Sequence, residues 1–269
     1  GGVFDALAAE NPSGKAAARK LAMGYSLVGR HRQAIDWFAK VEPSALVACE
    51  YARSLRAAQR YDEAIKQYDA AAARGADALN CRLERIKTLL DAGRLDDAAE
   101  DLSRVISQWP DDSRRHVIEG LVLECQGLHG EAMEAYRRAI ARDDANIEAK
   151  FRLAYLLDLR GEEKDAIDMY RGCLKVQPAH VNALMNLAVL YEDQGHYDQA
   201  ERCLKQVLTA DPNHTRAALF MKDVRSSQRM FIDEDQTRAR ESRDAILDTP
   251  ISDFELSVRS RNCLSKMDI

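Results

Sequence analysis

Val117, Phe151 and Met185 stand 34 residues apart, as do Leu121, Tyr155 and Val189, and each member of the second set follows one of the first by four residues. Apolar side chains on such a lattice form a strip that can bury a partner's apolar side chains, which is recognition chemistry and not covalent chemistry. Arg152 and Asn186, one place after Phe151 and Met185, and the nearby Asn182 add groups able to hydrogen-bond a peptide backbone. The residue types that usually carry catalysis are arranged differently. His31, His116, His129, His180, His196 and His214 fall mostly at turns or helix ends, and none is spaced to pair with a nucleophile or a second metal ligand. Surface or capping roles are expected for them.

The six Cys, at 49, 81, 125, 173, 203 and 263, contain no CxxC and no Cys/His ligand spacing, so neither a zinc site nor a redox dithiol is expected. Cys173 falls at a core position, Cys49 and Cys125 on first-helix positions, and small apolar filler is the role the pattern suggests. Beyond Gly1 and Gly2 the Gly residues are scattered singly, so no phosphate-cradling loop is expected. No metal and no cofactor is expected, and the chain reads as non-enzymatic.

These residues need a scaffold, and the composition points to helices. Ala, Leu, Arg, Glu, Lys and Gln abound across the 269 residues, and aromatic residues make up only 6%. A net charge of -5 removes any whole-chain argument for nucleic-acid affinity, since phosphate binding needs a basic face. The start lacks the basic and apolar stretches of a signal peptide, and no apolar run of about 18 residues follows, so no membrane partner and a cytoplasmic location are expected.

A fixed period organises most of the sequence. Six copies run 15–44, 45–78, 79–112, 113–146, 147–180 and 181–214, each 34 residues long except the first. Position 20 is Ala34, Ala64, Ala98, Ala132, Ala166 and Ala200, a small residue where two helices approach closely. Position 24 is Phe38, Tyr68, Leu102, Tyr136, Tyr170 and Leu204, a large plug one turn further on the same face. Position 15 is Gly29, Gly93, Gly127, Gly161 and Gly195, with Gln59 the one departure, and it suits a left-handed helix end. Pro110, Pro178 and Pro212 at position 32 stop the second helix.

This pattern resembles the tetratricopeptide repeat over Lys15–His214. The resemblance implies an all-α fold, a right-handed superhelical solenoid of helix pairs with a concave face lined by first-helix positions 2, 5, 9, 12 and 13. On that reading the groove carries Arg19, Arg53, Arg56 and Lys87 in early copies. Val117, Leu121, Phe151, Arg152, Tyr155, Asn182, Met185, Asn186 and Val189 form the partner-binding strip in later ones. Arg85 and Glu119 stand at the seventh position, where the pattern has Leu, and suggest looser packing in copies three and four. The Lys and Asn set that clamps a terminal carboxylate in some chaperone-binding relatives is absent.

Outside the repeats, 1–14 is a lead, and 215–230 reads as a capping helix with Ala218, Met221 and Val224 at first-helix spacing. Residues 231–248 form a charged linker, helical or extended, and 249–269 a short helical tail after Pro250. The tail "TPISDFELSVRSRNCLSKMDI" resembles the opening of the C-terminal domain of the bacterial RNA polymerase alpha subunit. That resemblance places Arg259, Asn262 and Cys263 at the surface that meets minor-groove promoter DNA, where narrow A·T-rich grooves attract Arg. The segment is expected to be a truncated front part of that domain, with DNA contact only when the domain is completed. Two functions follow as expectations. One is a scaffold that holds a protein or peptide in its groove and meets RNA polymerase or promoter DNA through its tail. The other is a general repeat adaptor in a cell-envelope or assembly complex with no DNA role. The oligomeric state is left open.

Overall fold

A computed structural model describes residues 15–110 and 112–247. Among them are thirteen helices and no strand, as the composition implies. The protein divides into two compact units, 1–177 and 178–269.

In the first unit, five helix pairs follow the repeat register: α1 (Lys15–Leu27) with α2 (His31–Phe38), α3 (Ala45–Ala57) with α4 (Tyr61–Ala73), and α5 (Ala78–Asp91) with α6 (Leu95–Gln108). Then come α7 (Ser113–Cys125) with α8 (His129–Arg142), and α9 (Ile147–Leu159) with α10 (Glu163–Val176). The second unit contains α11 (Val181–Asp193), α12 (Tyr197–Ala210) and α13 (Thr215–Leu247).

Each helix boundary has a local cause. Polar side chains cap the first helices, where Ser44, Asp77, Asp112 and Asn146 accept backbone N–H groups of α3, α5, α7 and α9 at 2.9–3.3 Å. His180 and His214 do the same for α11 and α13 through Nδ1, both at 3.1 Å. That is the capping role expected of turn histidines. First helices end in a left-handed residue at position 15, and its own N–H and that of the following residue turn back on the last helical carbonyls. After α5, for example, Gly93 N donates to Leu90 O and Arg94 N to Leu89 O. Five of these residues are Gly, with φ between 71° and 77°, and the sixth is Gln59 at φ 62°.

The close-approach logic holds throughout. All six position-20 alanines are fully buried, and the six position-24 plugs are buried with them. Gly120 shows how tight the contact is. A Cβ there would lie 2.4 Å from Cε1 of Tyr136, so the ring lies flat on the α7 backbone and its hydroxyl reaches Glu124 at 2.7 Å.

The helix pair of copy three and its junction with copy four are the most sparsely packed of the first unit, as Arg85 and Glu119 suggest, while the pair of copy four is closely packed. Ile65, Leu79, Leu83, Ile86, Leu89, Leu102, Val105, Ile118 and Leu121 pack into one core cluster beside them. Arg85 instead pairs with the buried Asp101, which Arg82 and Arg104 also approach, and Glu119 accepts from Arg138 at 3.0 Å. Arg85 and Glu119 are thus ion-paired at the position where copies one, five and six carry Leu21, Leu153 and Leu187.

Helix α13 differs from the expected cap in two ways. Met221 and Val224 are buried as expected, but the third buried position is Ala217, spaced i, i+4, i+7 with them, and Ala218 is exposed. Its backbone also continues to Leu247, joining the expected cap and the expected linker in one helix of 33 residues. No described helix is long and apolar enough to cross a membrane.

Candidate functional site

The first helices of copies three to five come together on one face of the first unit. Lys87 Nζ on α5 donates to both carboxylate oxygens of Glu148 on α9, at 3.0 and 2.9 Å, across 61 residues of sequence. The pair reaches past α7 from position 9 of copy three to position 2 of copy five, both of them positions that the repeat resemblance assigns to the inner face. Further pairs run along the same face. Arg56 bridges Asp91 at 2.6 Å and Glu84 at 3.1 Å, and Arg152 donates to Glu124 at 3.3 Å. These cations are partly exposed and engaged with carboxylates of neighbouring first helices or their own, so the face is a mixed-charge seam.

The apolar strip read from sequence is therefore not uniformly accessible. Val117 and Leu121 are buried. Leu121 belongs to the core cluster of copies three and four. Phe151 is half-buried, its ring centroid 5.7 Å from that of the buried Tyr170, and Arg152 is held toward Glu124. Exposed apolar side chains at the expected groove positions of the first unit include Tyr155, 39% exposed, and Leu159 at position 13, 63% exposed, together with Leu27 at position 13 of copy one and Leu46 at position 2 of copy two. Sequence reasoning passed over Leu159, although position 13 is one of the groove positions.

In the second unit Met185 is buried. Ala183, Leu184, Leu187, Ala188, Leu190 and Tyr191 are buried with it, so α11 is covered around most of its circumference and Met185 is a core residue. Asn182 and Val189 are exposed and Asn186 is half-buried. Val189 and the α13 residues Leu219 and Phe220 form the apolar floor of a cleft of ≈470 Å³, rimmed by Thr215, Arg216 and Asp223. Leu219 is 60% exposed. Arg259, Asn262 and Cys263, the expected DNA-facing residues, lie outside the described residues.

The titratable side chains have structural causes for their states. Among the described residues no cluster of three or more His, Cys, Asp or Glu could hold a metal ion. Burial pushes the Cys173 thiol up to about 11, and it also raises Cys125. His116 is the histidine that the turn-and-cap reading missed. It is buried, burial lowers its pKa, and Glu119 at 3.1 Å from Nδ1 opposes that shift. Arg114, hydrogen-bonded to the capping carboxylates Asp112 and Asp77, holds both below the ordinary carboxylate range.

Comparisons with known proteins agree with the geometry. Two family models with the description "Tetratricopeptide repeat" match, one at 49–113 and 83–147 and the other at 159–223, together more than half of the sequence. A third family model, for the C-terminal domain of the bacterial RNA polymerase alpha subunit, matches 237–269. No curated protein sequence matches this one. Among solved structures, one polypeptide of the APC/C hetero-tetramer Cut9–Hcn1 superposes with a TM-score of 0.57 at 18% identity, covering 82% of this protein and 45% of that one. The present protein thus spans less than half the length of that neighbour. TTC0263, a thermophilic TPR protein of Thermus thermophilus, superposes with a TM-score of 0.56 at 16% identity, covering 67% of this protein and 98% of the other. At these identities the likeness is one of fold.

Proposed function

Since the chain belongs to the tetratricopeptide repeat family, whose proteins are generally non-catalytic scaffolds, we propose that it holds a protein or peptide partner on the first-helix face of its repeats. The observation that carries this reading is the survival of exposed apolar side chains at groove positions. Tyr155 and Leu159 in the first unit, and Val189 in the second, stay accessible while Val117, Leu121 and Met185 are absorbed into the core. Exposed apolar groups beside a mixed-charge seam suit a partner with apolar anchors and flanking polar groups. Within the first unit Arg152 is the group proposed to meet a partner's backbone, with Phe151 contributing one ring edge, and within the second unit Asn182 and Asn186 are proposed for that role. A cytoplasmic location belongs to this reading.

The test replaces Tyr155 and Leu159 together by Asp and compares captured proteins with those of the wild type and of Lys164→Asp, a charge reversal on the exposed part of α10. Loss of specific partners in the double variant alone is expected. An unchanged partner set would rule out this face.

A second reading rests on the match at 237–269, which includes Arg259, Asn262 and Cys263. Under it, the segment ties the scaffold to RNA polymerase or promoter DNA. Binding to A·T-rich promoter DNA, compared between the wild type and Arg259→Ala at several salt concentrations, tests it. Salt-insensitive and equal binding in both would exclude the DNA role.

A further inference from the structure

Cys49 on α3 and Cys81 on α5 belong to different copies, yet their Sγ atoms lie 4.0 Å apart. Cys49 is half-buried at position 5, on the first-helix face, and Cys81 is 3% exposed behind it. Around them are Ala48, Ala71, Ala72 and Ala76. Small alanine side chains surround both, and a disulfide requires the sulfurs to close from 4.0 Å to about 2.05 Å, a movement on the scale of χ1 rotation and small helix shifts.

We infer that Cys49 and Cys81 form a reversible, peroxide-driven disulfide that staples the first helices of copies two and three.

The chemistry is asymmetric because access is asymmetric. Hydrogen peroxide reaches the half-buried Cys49, whose thiolate attacks one peroxide oxygen. An S–O bond forms, the O–O bond breaks with its electron pair leaving as hydroxide, and sulfur is oxidised to the sulfenic acid. Cys81 then attacks Sγ of Cys49. The S–S bond forms, the S–O bond breaks, and the departing hydroxide takes the Cys81 proton as water. Burial, with Cys49 next to it, raises the pKa of the Cys81 thiol, so Cys49 reacts first. Once Cys49 is the uncharged sulfenic acid its thiolate no longer opposes ionisation of Cys81, whose sulfur stands 4.0 Å away to resolve it. A dithiol reductant restores both thiols by exchange.

The linkage would bear on the seam directly. Arg53 and Arg56 lie one and two turns after Cys49 on α3, and Arg56 pairs with Glu84 and Asp91 on α5. A covalent tie between α3 and α5 fixes the spacing of those pairs.

The experiment treats the 269-residue protein with hydrogen peroxide, alkylates remaining thiols and maps linked peptides by mass spectrometry, in buffer and in unfolding urea. Because the fold holds the sulfurs together, the Cys49–Cys81 link should form about tenfold or more faster in buffer than in urea. Dithiothreitol should reverse it. Cys49→Ser should abolish the link, and Cys81→Ala should leave a sulfenic acid at Cys49 that dimedone traps. If Cys81→Ala fails to fold, the wild-type comparison between buffer and urea decides alone. Alkylation of both thiols after peroxide treatment, equal rates in buffer and urea, or links that join other cysteines while this pair stays reduced would overturn the proposal.

Discussion

Replacing Gln59 by Gly should stabilise the protein, although the change deletes a whole side chain. Gln59 has φ 62° at the end of α3, where its N–H donates to Arg56 O and that of Arg60 to Leu55 O, both at 2.9 Å. Five other copies satisfy the same turn with Gly. An L-residue in this region costs roughly 1–2 kcal/mol. Gly relieves that strain but loses about 0.5–1 kcal/mol through the greater freedom of the unfolded state. The side chain of Gln59 is exposed, so little packing is lost with it. The net gain is about 0.5–1 kcal/mol, and with a urea slope near the upper end of about 1–3 kcal/mol/M it moves the midpoint up by about 0.3 M. Urea unfolding followed by circular dichroism reads it, with the reciprocal change Gly93→Gln as the control. Gly93→Gln should lower the midpoint by a similar amount. A lower midpoint for Gln59→Gly, or no effect of Gly93→Gln, would refute the backbone-strain reasoning.

Other outcomes follow from the same geometry. Gly120→Ala should cost about 1–3 kcal/mol by overpacking, because its methyl would enter the Tyr136 ring, and the loss should appear in the same urea titration. In the Lys87–Glu148 pair, one side chain is mostly buried and the other nearly half exposed, so a double-mutant cycle should give a coupling of about 0.5 kcal/mol that shrinks at high salt. The charge swap Lys87→Glu with Glu148→Lys should recover part of it. His116 has a folded pKa below its ordinary 6.5, so the native state binds fewer protons than the unfolded one in that range. Stability should fall as pH drops through 6.5 toward the lowered value, and His116→Gln should flatten that part of the thermal-melting profile.

The fold was largely legible because each repeat constraint is local. A close helix crossing needs Ala at position 20, a left-handed helix end favours Gly at position 15, and the 34-residue period repeats both. Even the departure at Gln59 marked a residue that adopts the glycine conformation. The binding face was less legible, because accessibility depends on how neighbouring first helices converge. Val117 and Met185 share a register position with Phe151, yet the first two are core residues and the third is half-buried. Nothing within one copy announces that Lys87 will meet Glu148 across 61 residues, or that Cys49 will meet Cys81. His116 was missed for a related reason. It lies in the first turn of α7, where histidine often caps, but Asp112 takes the capping role and the imidazole turns inward.

The central claim, that partners bind the first-helix face, is tested most directly by site-specific photocrosslinking. A benzophenone amino acid placed at Tyr155 or Leu159 should yield discrete covalent adducts with a partner in cells, and the same group at Lys164 on α10 should yield none of them. Adducts from Lys164 with nothing from Tyr155 and Leu159 would contradict the account.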